Sequence, residues 1–203
     1  METAMETAHE SPRASETARA VIRMRHGQDG TGEAVTLTLP ALEAEIDRAV
    51  ADHGKEDTLW RCVDCPIAAL VDPITVAGSL REANALALML KDLTGKKLDL
   101  FKALLEVKGF PPLREAIALI GRLDEYGLEP KIHSVEDAAK WELRFLLGEP
   151  EAEKLIPHVN LTTYGQAVMQ EYRMRLTSCG GLSPLADTDA FREESEKMEN
   201  TGN

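Results

Sequence analysis

The chain has 203 residues, of which 43% are hydrophobic and only 4% aromatic, and it carries a formal net charge of −12. This acidity argues against direct binding to nucleic acid or to anionic membranes, and it suits a partner with a basic surface. With so few aromatic residues, a core must consist mainly of Leu, Ala, Ile and Val, which packed helices prefer.

The apolar stretches are too short to cross a bilayer, and "METAMETAHESPRASETARA" lacks the apolar segment of a signal peptide. Three cysteines are an odd number and too few for the disulfide framework of a small secreted protein. These features predict a cytoplasmic protein with reduced thiols. Residues 1–19 and 187–203 are polar and charged, so both ends are predicted to be disordered.

Residues 20–75 predict a small ββαβ unit. "AVIRMR" and "AVTLTLP" alternate apolar and polar residues around "HGQDGTGE", which is typical of a hairpin. Pro40 is expected in the first turn of a helix that ends near His53. Its apolar stripe is formed by Leu42, Ile46, Ala49 and Val50. A further strand is expected in either "TLWRCV" or "PIAALV".

Residues 76–130 predict an antiparallel helical bundle. Ser79 and Glu82 have the spacing of a reciprocal helix cap, and a broad Leu/Ala face follows. A second helix ends at Gly109, and "PP" introduces a third. Short loops between consecutive helices favour antiparallel neighbours.

Residues 131–186 predict a helix-rich acidic unit. Ser134 is the expected cap of a helix that Gly148 ends, Asn160 is the expected cap of the last helix, and "SCGGLSP" is expected to terminate the ordered chain. Glu142 falls within the apolar arc of the Ser134 helix, which contains Val135, Ala138, Ala139, Phe145 and Leu146. Its stem either snorkels past these residues or its carboxylate is paired, and snorkelling is the preferred interpretation. The predicted fold class is therefore α+β, predominantly helical.

"CVDC" places Cys62 and Cys65 at a spacing used by zinc and redox sites, but no second ligand pair completes a zinc shell. A redox motif would open a helix after a strand, whereas a second strand is expected after Pro66. The two thiols are therefore interpreted as inert. The isolated histidines and the glycine-rich turn match no nucleophile or phosphate-loop motif. The expectation is a protein that is not an enzyme and has no cofactor or metal.

Acidic residues are concentrated between positions 124 and 156, a segment that contains nine acidic and four basic residues. Such a segment has an ordinary interpretation, since carboxylates commonly solvate helix ends and surfaces. The alternative interpretation is that these carboxylates are the surface that a partner binds.

The order of "GSLREANALALMLKDL", "LREAIALIGRLDEYGL", "SVEDAAKWEL" and "IPHVNLTTYGQAV" over residues 76–170 resembles the ArdA antirestriction proteins of conjugative elements. The resemblance implies three small domains in a row and an elongated homodimer that imitates bent B-form DNA. Such a dimer would occupy the DNA groove of a type I restriction-modification enzyme in a bacterial cytoplasm. By the same resemblance, eight acids would stand for phosphates: Asp124, Glu125, Glu129, Glu136, Asp137, Glu149, Glu151 and Glu153.

Three functions remain open at this stage. The first is a DNA-mimicking inhibitor with no turnover, whose carboxylates meet Lys and Arg side chains in an enzyme's DNA groove. The second is an accessory protein of a mobile element that binds a partner protein through an apolar helix face. The third is a small metal- or redox-active protein that uses Cys62 and Cys65.

Overall fold

The computed structural model describes residues 21–26, 35–53, 60–109 and 111–185. Within these ranges the chain forms eight α-helices and two three-stranded antiparallel sheets. The predicted α+β, predominantly helical class is confirmed. The two ends predicted to be disordered and the glycine-rich turn of the predicted hairpin lie outside the described residues.

The first sheet consists of β1 (Ile22–His26), β2 (Val35–Leu39) and β3 (Arg61–Asp64), in the order β2-β1-β3. In β1, Ile22 and Met24 are buried while Arg23 and Arg25 are exposed, as the alternating sequence predicts. The third strand lies in "TLWRCV", whereas "PIAALV" enters a helical segment. The sheet therefore places its apolar face against the helices that follow.

Helix α1 (Glu43–His53) begins three residues later than its sequence predicts. Pro40 does not lie in the first turn, because it follows Leu39 through a cis peptide bond and the chain bends there. The peptide of Ala41 is instead bound by Asn84, a buried side chain, through N–H···Oδ1 at 2.9 Å and Nδ2–H···O at 3.3 Å. Ile46 is buried as predicted, but Leu42 is 72% exposed.

A 3₁₀ turn (Ala68–Leu70) continues into α2 (Val71–Ala77), which ends at Gly78 in the left-handed conformation. Helices α3 (Leu80–Asp92), α4 (Lys96–Lys108) and α5 (Leu113–Ile120) occupy the region predicted to be helical. Helix α3 packs on β1 and β2, and α5 contacts both α3 and α4. Buried residues of all three helices, among them Leu86, Phe101 and Ala116, belong to the main hydrophobic cluster, which also contains Ile22 and Met24 of the first sheet.

The second sheet consists of β4 (Tyr126–Glu129), β5 (Arg175–Thr177) and β6 (Gly180–Pro184), in the order β4-β6-β5. The described residues end at Leu185, directly after "SCGGLSP", but the Gly180–Pro184 portion of this segment is the central strand of the sheet, an element that the sequence does not predict. Helix α4 packs against all three strands. Leu182 belongs to the main hydrophobic cluster, and a side chain at Gly181 would strike Met174 and Ile132, which lie in a second cluster.

The C-terminal helices are α6 (Val135–Leu147), α7 (Glu149–Leu155) and α8 (Leu161–Glu171). The predicted caps are confirmed, because Ser134 accepts from the Asp137 N–H and Asn160 accepts from the Thr163 N–H, both at 3.1 Å. Helix α6 packs against α7 and α8. At the crossing with α8, Gly165 lies so close to Val135 that a Cβ would overlap its carbonyl group.

The boundaries predicted at residues 75 and 130 stay predictions. The main hydrophobic cluster contains buried residues from both sides of position 75, and the second sheet pairs β4 with strands that follow α8. None of the helices described here has both the length and the apolar content needed to cross a membrane.

Candidate partner-binding surface

The eight acids identified from the resemblance lie in three groups. Asp124, Glu125 and Glu129 lie in the 3₁₀ turn before β4 and at the end of β4. Glu136 and Asp137 form the first turn of α6, and the remaining three lie on α7. On α7, residues four apart share a face, so Glu149 and Glu153 lie on the same side while Glu151 points in another direction.

Two of the eight acids stabilise the N-terminus of α6 and its contact with α8. Glu136 accepts a hydrogen bond of 2.7 Å from the Thr162 hydroxyl, which lowers the pKa of its carboxyl group. The pKa of Asp137 is also lowered, chiefly by its hydrogen bond with Ser134 and further by the His133 N–H at 3.3 Å. Negative charge at this position also complements the helix dipole. These two carboxylates therefore have structural partners.

Two further acids are paired with arginines. Arg122 donates to both carboxylate oxygens of Glu125, at distances from 2.6 to 3.0 Å, and this lowers the pKa of that glutamate. Arg144 on α6 donates to Glu153 on α7 through Nε at 3.0 Å and a terminal nitrogen at 2.6 Å. Because these pairs are largely exposed to solvent, each adds little to the stability of the fold.

The remaining four acids form no side-chain hydrogen bond or ion pair within the part of the chain that the structure describes. Asp124, Glu149 and Glu151 are exposed, and Glu129 is half-buried. Their full negative charges are available to a partner's cations, in contrast to the four acids that are already bound. The structure thus divides the eight predicted acids into four that have a partner within the protein and four that do not, among the described residues.

Four large apolar side chains near the α7 acids in sequence are exposed at the end of α6 and on α7. They are Phe145 (71% exposed), Leu146 (60%), Leu147 and Leu155. The prediction that Phe145 and Leu146 belong to the same arc as the buried residues of α6 is wrong, because α8 packs on the side of α6 that presents Val135, Ala138 and Glu142. Trp141 stacks on Phe145 with ring centroids 5.9 Å apart and covers part of one ring face.

Glu142 is buried, with 6% of its surface exposed, so its carboxylate does not snorkel to solvent. The Tyr172 hydroxyl donates to Glu142 Oε1 at 3.2 Å, while Oε2 has no hydrogen-bond partner among the described residues. Burial and this hydrogen bond raise the pKa of Tyr172. The paired interpretation replaces the snorkelling one, and Tyr172, which sequence reasoning did not connect to Glu142, is the partner.

Cys62 and Cys65 are free thiols at the end of β3. In the described ranges, no group of three or more His, Cys, Asp and Glu side chains is arranged to hold a metal ion. The prediction that a second strand follows the pair is wrong, because Ala68–Leu70 and α2 are helical. Pro73 is compatible with α2 because it lies in the first turn, where its missing N–H is not needed.

No protein-family model and no curated protein matches this chain.

Proposed function

We propose that this chain is a non-enzymatic antirestriction protein that imitates DNA and blocks the DNA-binding groove of a type I restriction-modification enzyme. The observation that carries the proposal is the group of exposed, unpaired carboxylates at Asp124, Glu149 and Glu151, with half-buried Glu129 nearby in sequence. Its partner is a basic protein groove, and the function needs no cofactor, no membrane and no direct contact with nucleic acid. The resemblance to ArdA proteins supports the same proposal.

Inhibition by this surface works through charge. The unpaired carboxylates meet Lys and Arg side chains that otherwise bind phosphates, so the chain competes with DNA for the same groove. Glu125 and Glu153 contribute by exchanging Arg122 and Arg144 for cations of the enzyme, which costs little because exposed ion pairs are weak. A homodimer would double the number of carboxylates and extend the negative surface towards the length of a DNA site.

The test is competition at low salt between this chain and labelled DNA for a purified type I restriction-modification enzyme. The wild-type chain is expected to displace the DNA, and displacement should weaken as salt rises, because exposed charges are screened. Changing Asp124→Asn, Glu129→Gln, Glu149→Gln and Glu151→Gln together removes four contacts of roughly 0.5 kcal/mol each, about thirtyfold in Kd.

A matched control removes the same formal charge from other places. Asp52, Asp72, Asp92 and Glu115 are exposed and form no side-chain pair in the described part of the chain. Their combined amide variant should displace DNA nearly as well as the wild-type chain. Absence of displacement by the wild-type chain at low salt, or an equal loss in both variants, would contradict the DNA-mimic proposal.

The exposed apolar residues of α6 and α7 favour a second candidate, a mobile-element accessory protein that acts as a helical protein–protein interaction module without antirestriction activity. Exposed Phe145 and Leu146 supply the kind of apolar surface that partner proteins cover. A complex of this kind should persist at high salt and should be weakened by Phe145→Ser. The four amide substitutions should leave it unchanged, which distinguishes it from DNA mimicry.

A further inference from the structure

A cleft lies between α2, the first turn of α3 and the start of α5. It is lined by side chains from both ends of α2, by Ser79 and Glu82, and by residues 111–114, and its volume is about 630 Å³. This volume lies within the range of small-molecule sites, roughly 300 to 1,000 Å³. None of the eight acids lines the cleft, so a ligand bound here is independent of the proposed function.

The walls of the cleft are apolar and poor in hydrogen-bonding groups. Pro73, Pro111 and Leu113 are buried and form its floor. The two prolines have no N–H, so they add no donor that a ligand would have to satisfy. Val76, which is 83% exposed, and Ala77, which is also exposed, form the rim. An apolar ligand that enters the cleft therefore covers apolar surface that water now contacts, and this burial favours binding.

The charged groups of the cleft leave one negative charge without a partner. Arg114 Nε donates to Glu82 Oε1 at 2.7 Å, so these two charges neutralise each other. The Ser79 hydroxyl accepts from the Glu82 N–H at 3.3 Å and is thereby used in the cap of α3. Asp72 is exposed and forms no side-chain hydrogen bond or ion pair with the residues that the structure describes. Because Asp72 directly precedes Pro73, its carboxylate lies at the edge of the apolar floor.

We propose that this cleft binds a small apolar amine. The aromatic or aliphatic body of the ligand packs on Pro73, Pro111 and Leu113, and its ammonium group donates a hydrogen bond to the Asp72 carboxylate. An apolar carboxylic acid of the same shape binds less well, because Asp72 repels it and Arg114 is already paired with Glu82. The apolar surface and the unpaired carboxylate thus select the charge of the ligand as well as its shape.

The experiment titrates the isotope-labelled full chain at low salt with three probes of matched shape, and NMR measures the backbone amide shifts. The probes are 2-phenylethylamine, which is cationic, 2-phenylethanol, which is neutral, and 3-phenylpropionate, which is anionic. The amine is expected to shift the amides of Val76, Ala77 and Leu113 with a Kd of about 1 to 10 mM, an ordinary affinity for so small a ligand. Its Kd should be about threefold lower than that of the alcohol, and the acid should bind more weakly still. The amides of β5 should not shift.

Three variants separate the charge of the cleft from its shape. Asp72→Asn should raise the Kd of the amine about threefold and leave the Kd of the alcohol unchanged. Asp52→Asn, on α1 and outside the cleft, should change neither value. Ala77→Trp places a large side chain at the exposed rim, so it should fill the cleft and remove the shifts caused by all three probes. The amide spectrum of each variant without ligand shows whether it remains folded.

Absence of shifts at the cleft amides during the titration with 2-phenylethylamine would overturn the proposal. So would an equal or tighter affinity for 3-phenylpropionate, or a preference for the amine that survives Asp72→Asn. Displacement of DNA does not depend on these outcomes, since Asp72 is one of the four control acids of that test.

Discussion

The two sheets of this protein have the same number of strands but are assembled differently. The first sheet joins β1, β2 and β3 from residues 22–64, and charged residues alternate with buried ones along β1. The second sheet joins β4 to two strands that follow α8, and its central strand begins with three consecutive buried residues, Gly180, Gly181 and Leu182. The strands of the first sheet can be predicted from the sequence, whereas those of the second sheet cannot.

The difference arises from what covers each sheet. In β1 one set of alternating side chains is exposed, so the sequence has a period of two. In β6, Leu182 packs in the main hydrophobic cluster while Gly181 lies against Ile132 and Met174 of the second cluster. A strand that is covered on both faces does not alternate between apolar and polar residues. Glycines at close contacts also take the place of the β-branched and aromatic residues that usually indicate a strand.

Of three destabilising substitutions, Gly180→Ala should lower the free energy of unfolding the most, and it should disrupt the second sheet alone. Gly180 has φ +131°, and an added Cβ would overlap the carbonyl of Glu129 and approach Pro130. Backbone strain and overpacking together should lower the free energy of unfolding by about 3 to 5 kcal/mol. Urea-induced unfolding followed by circular dichroism measures this change.

Gly121→Ala is the matched control for Gly180→Ala. Gly121 has ordinary helical backbone angles, and its added Cβ would meet only the Ala118 carbonyl oxygen, at 3.5 Å. The free energy of unfolding should change by about 0.5 kcal/mol or less, with stabilisation the expected direction. Equal losses in the two variants would show that the close approach at Gly180 does not hold the second sheet.

The helices were the most predictable part of the fold, because their ends carry local signals. Ser79, Ser134 and Asn160 each accept a hydrogen bond from a backbone N–H in the first turn, as their positions before apolar runs predict. Helix α2 lacks such a signal, since no side chain caps its N-terminus and its β-branched residues also suit a strand. Its helical state depends on tertiary packing, including contact with β3 and α5.

The candidate surface was predictable only in part. Arg122 and Glu125 are three residues apart, a spacing that indicates their pairing, but Arg144 and Glu153 meet across the turn between α6 and α7. Periodicity located the apolar side of α6 but could not reveal that α8 leaves Phe145 uncovered. Which carboxylates stay unpaired is therefore decided by tertiary structure and not by spacing along the chain.

Asn84→Ala should have an intermediate effect, because it removes the polar contact that ties α3 to the end of the first sheet. Asn84 is 4% exposed and satisfies both polar groups of the Ala41 peptide. Leaving these groups without their partner should lower the free energy of unfolding by about 2 kcal/mol. Lys91→Ala, on the exposed face of α3, should change it by about 0.5 kcal/mol or less in the same urea titration.

Glu106→Ala should lower the free energy of unfolding less than Gly180→Ala or Asn84→Ala does. It removes a polar contact between a helix and the second sheet, as Asn84→Ala does for the first sheet. Glu106 on α4 accepts from the Ser178 N–H at 3.0 and 3.1 Å and from the Ser178 hydroxyl at 2.7 Å, which ties the β5–β6 turn to the helix. Because Glu106 is exposed, water replaces much of what is lost, and the expected cost is about 1 kcal/mol.

Glu115→Ala makes the same side-chain change at an exposed site on α5 with no side-chain pair in the described ranges, so it corrects for helix propensity. Because Glu115 lies in the first turn of α5, where its charge also interacts favourably with the helix dipole, the difference between these two variants is a lower limit for the Ser178 contact. Native-state hydrogen exchange of the β5 and β6 amides shows whether the loss falls on the second sheet. Faster exchange in both strands, with β1 to β3 unchanged, is the expected outcome. If Glu106→Ala instead costs as much as Asn84→Ala, then burial does not account for the difference between the two contacts, and the second sheet depends on Glu106 more than its exposure implies.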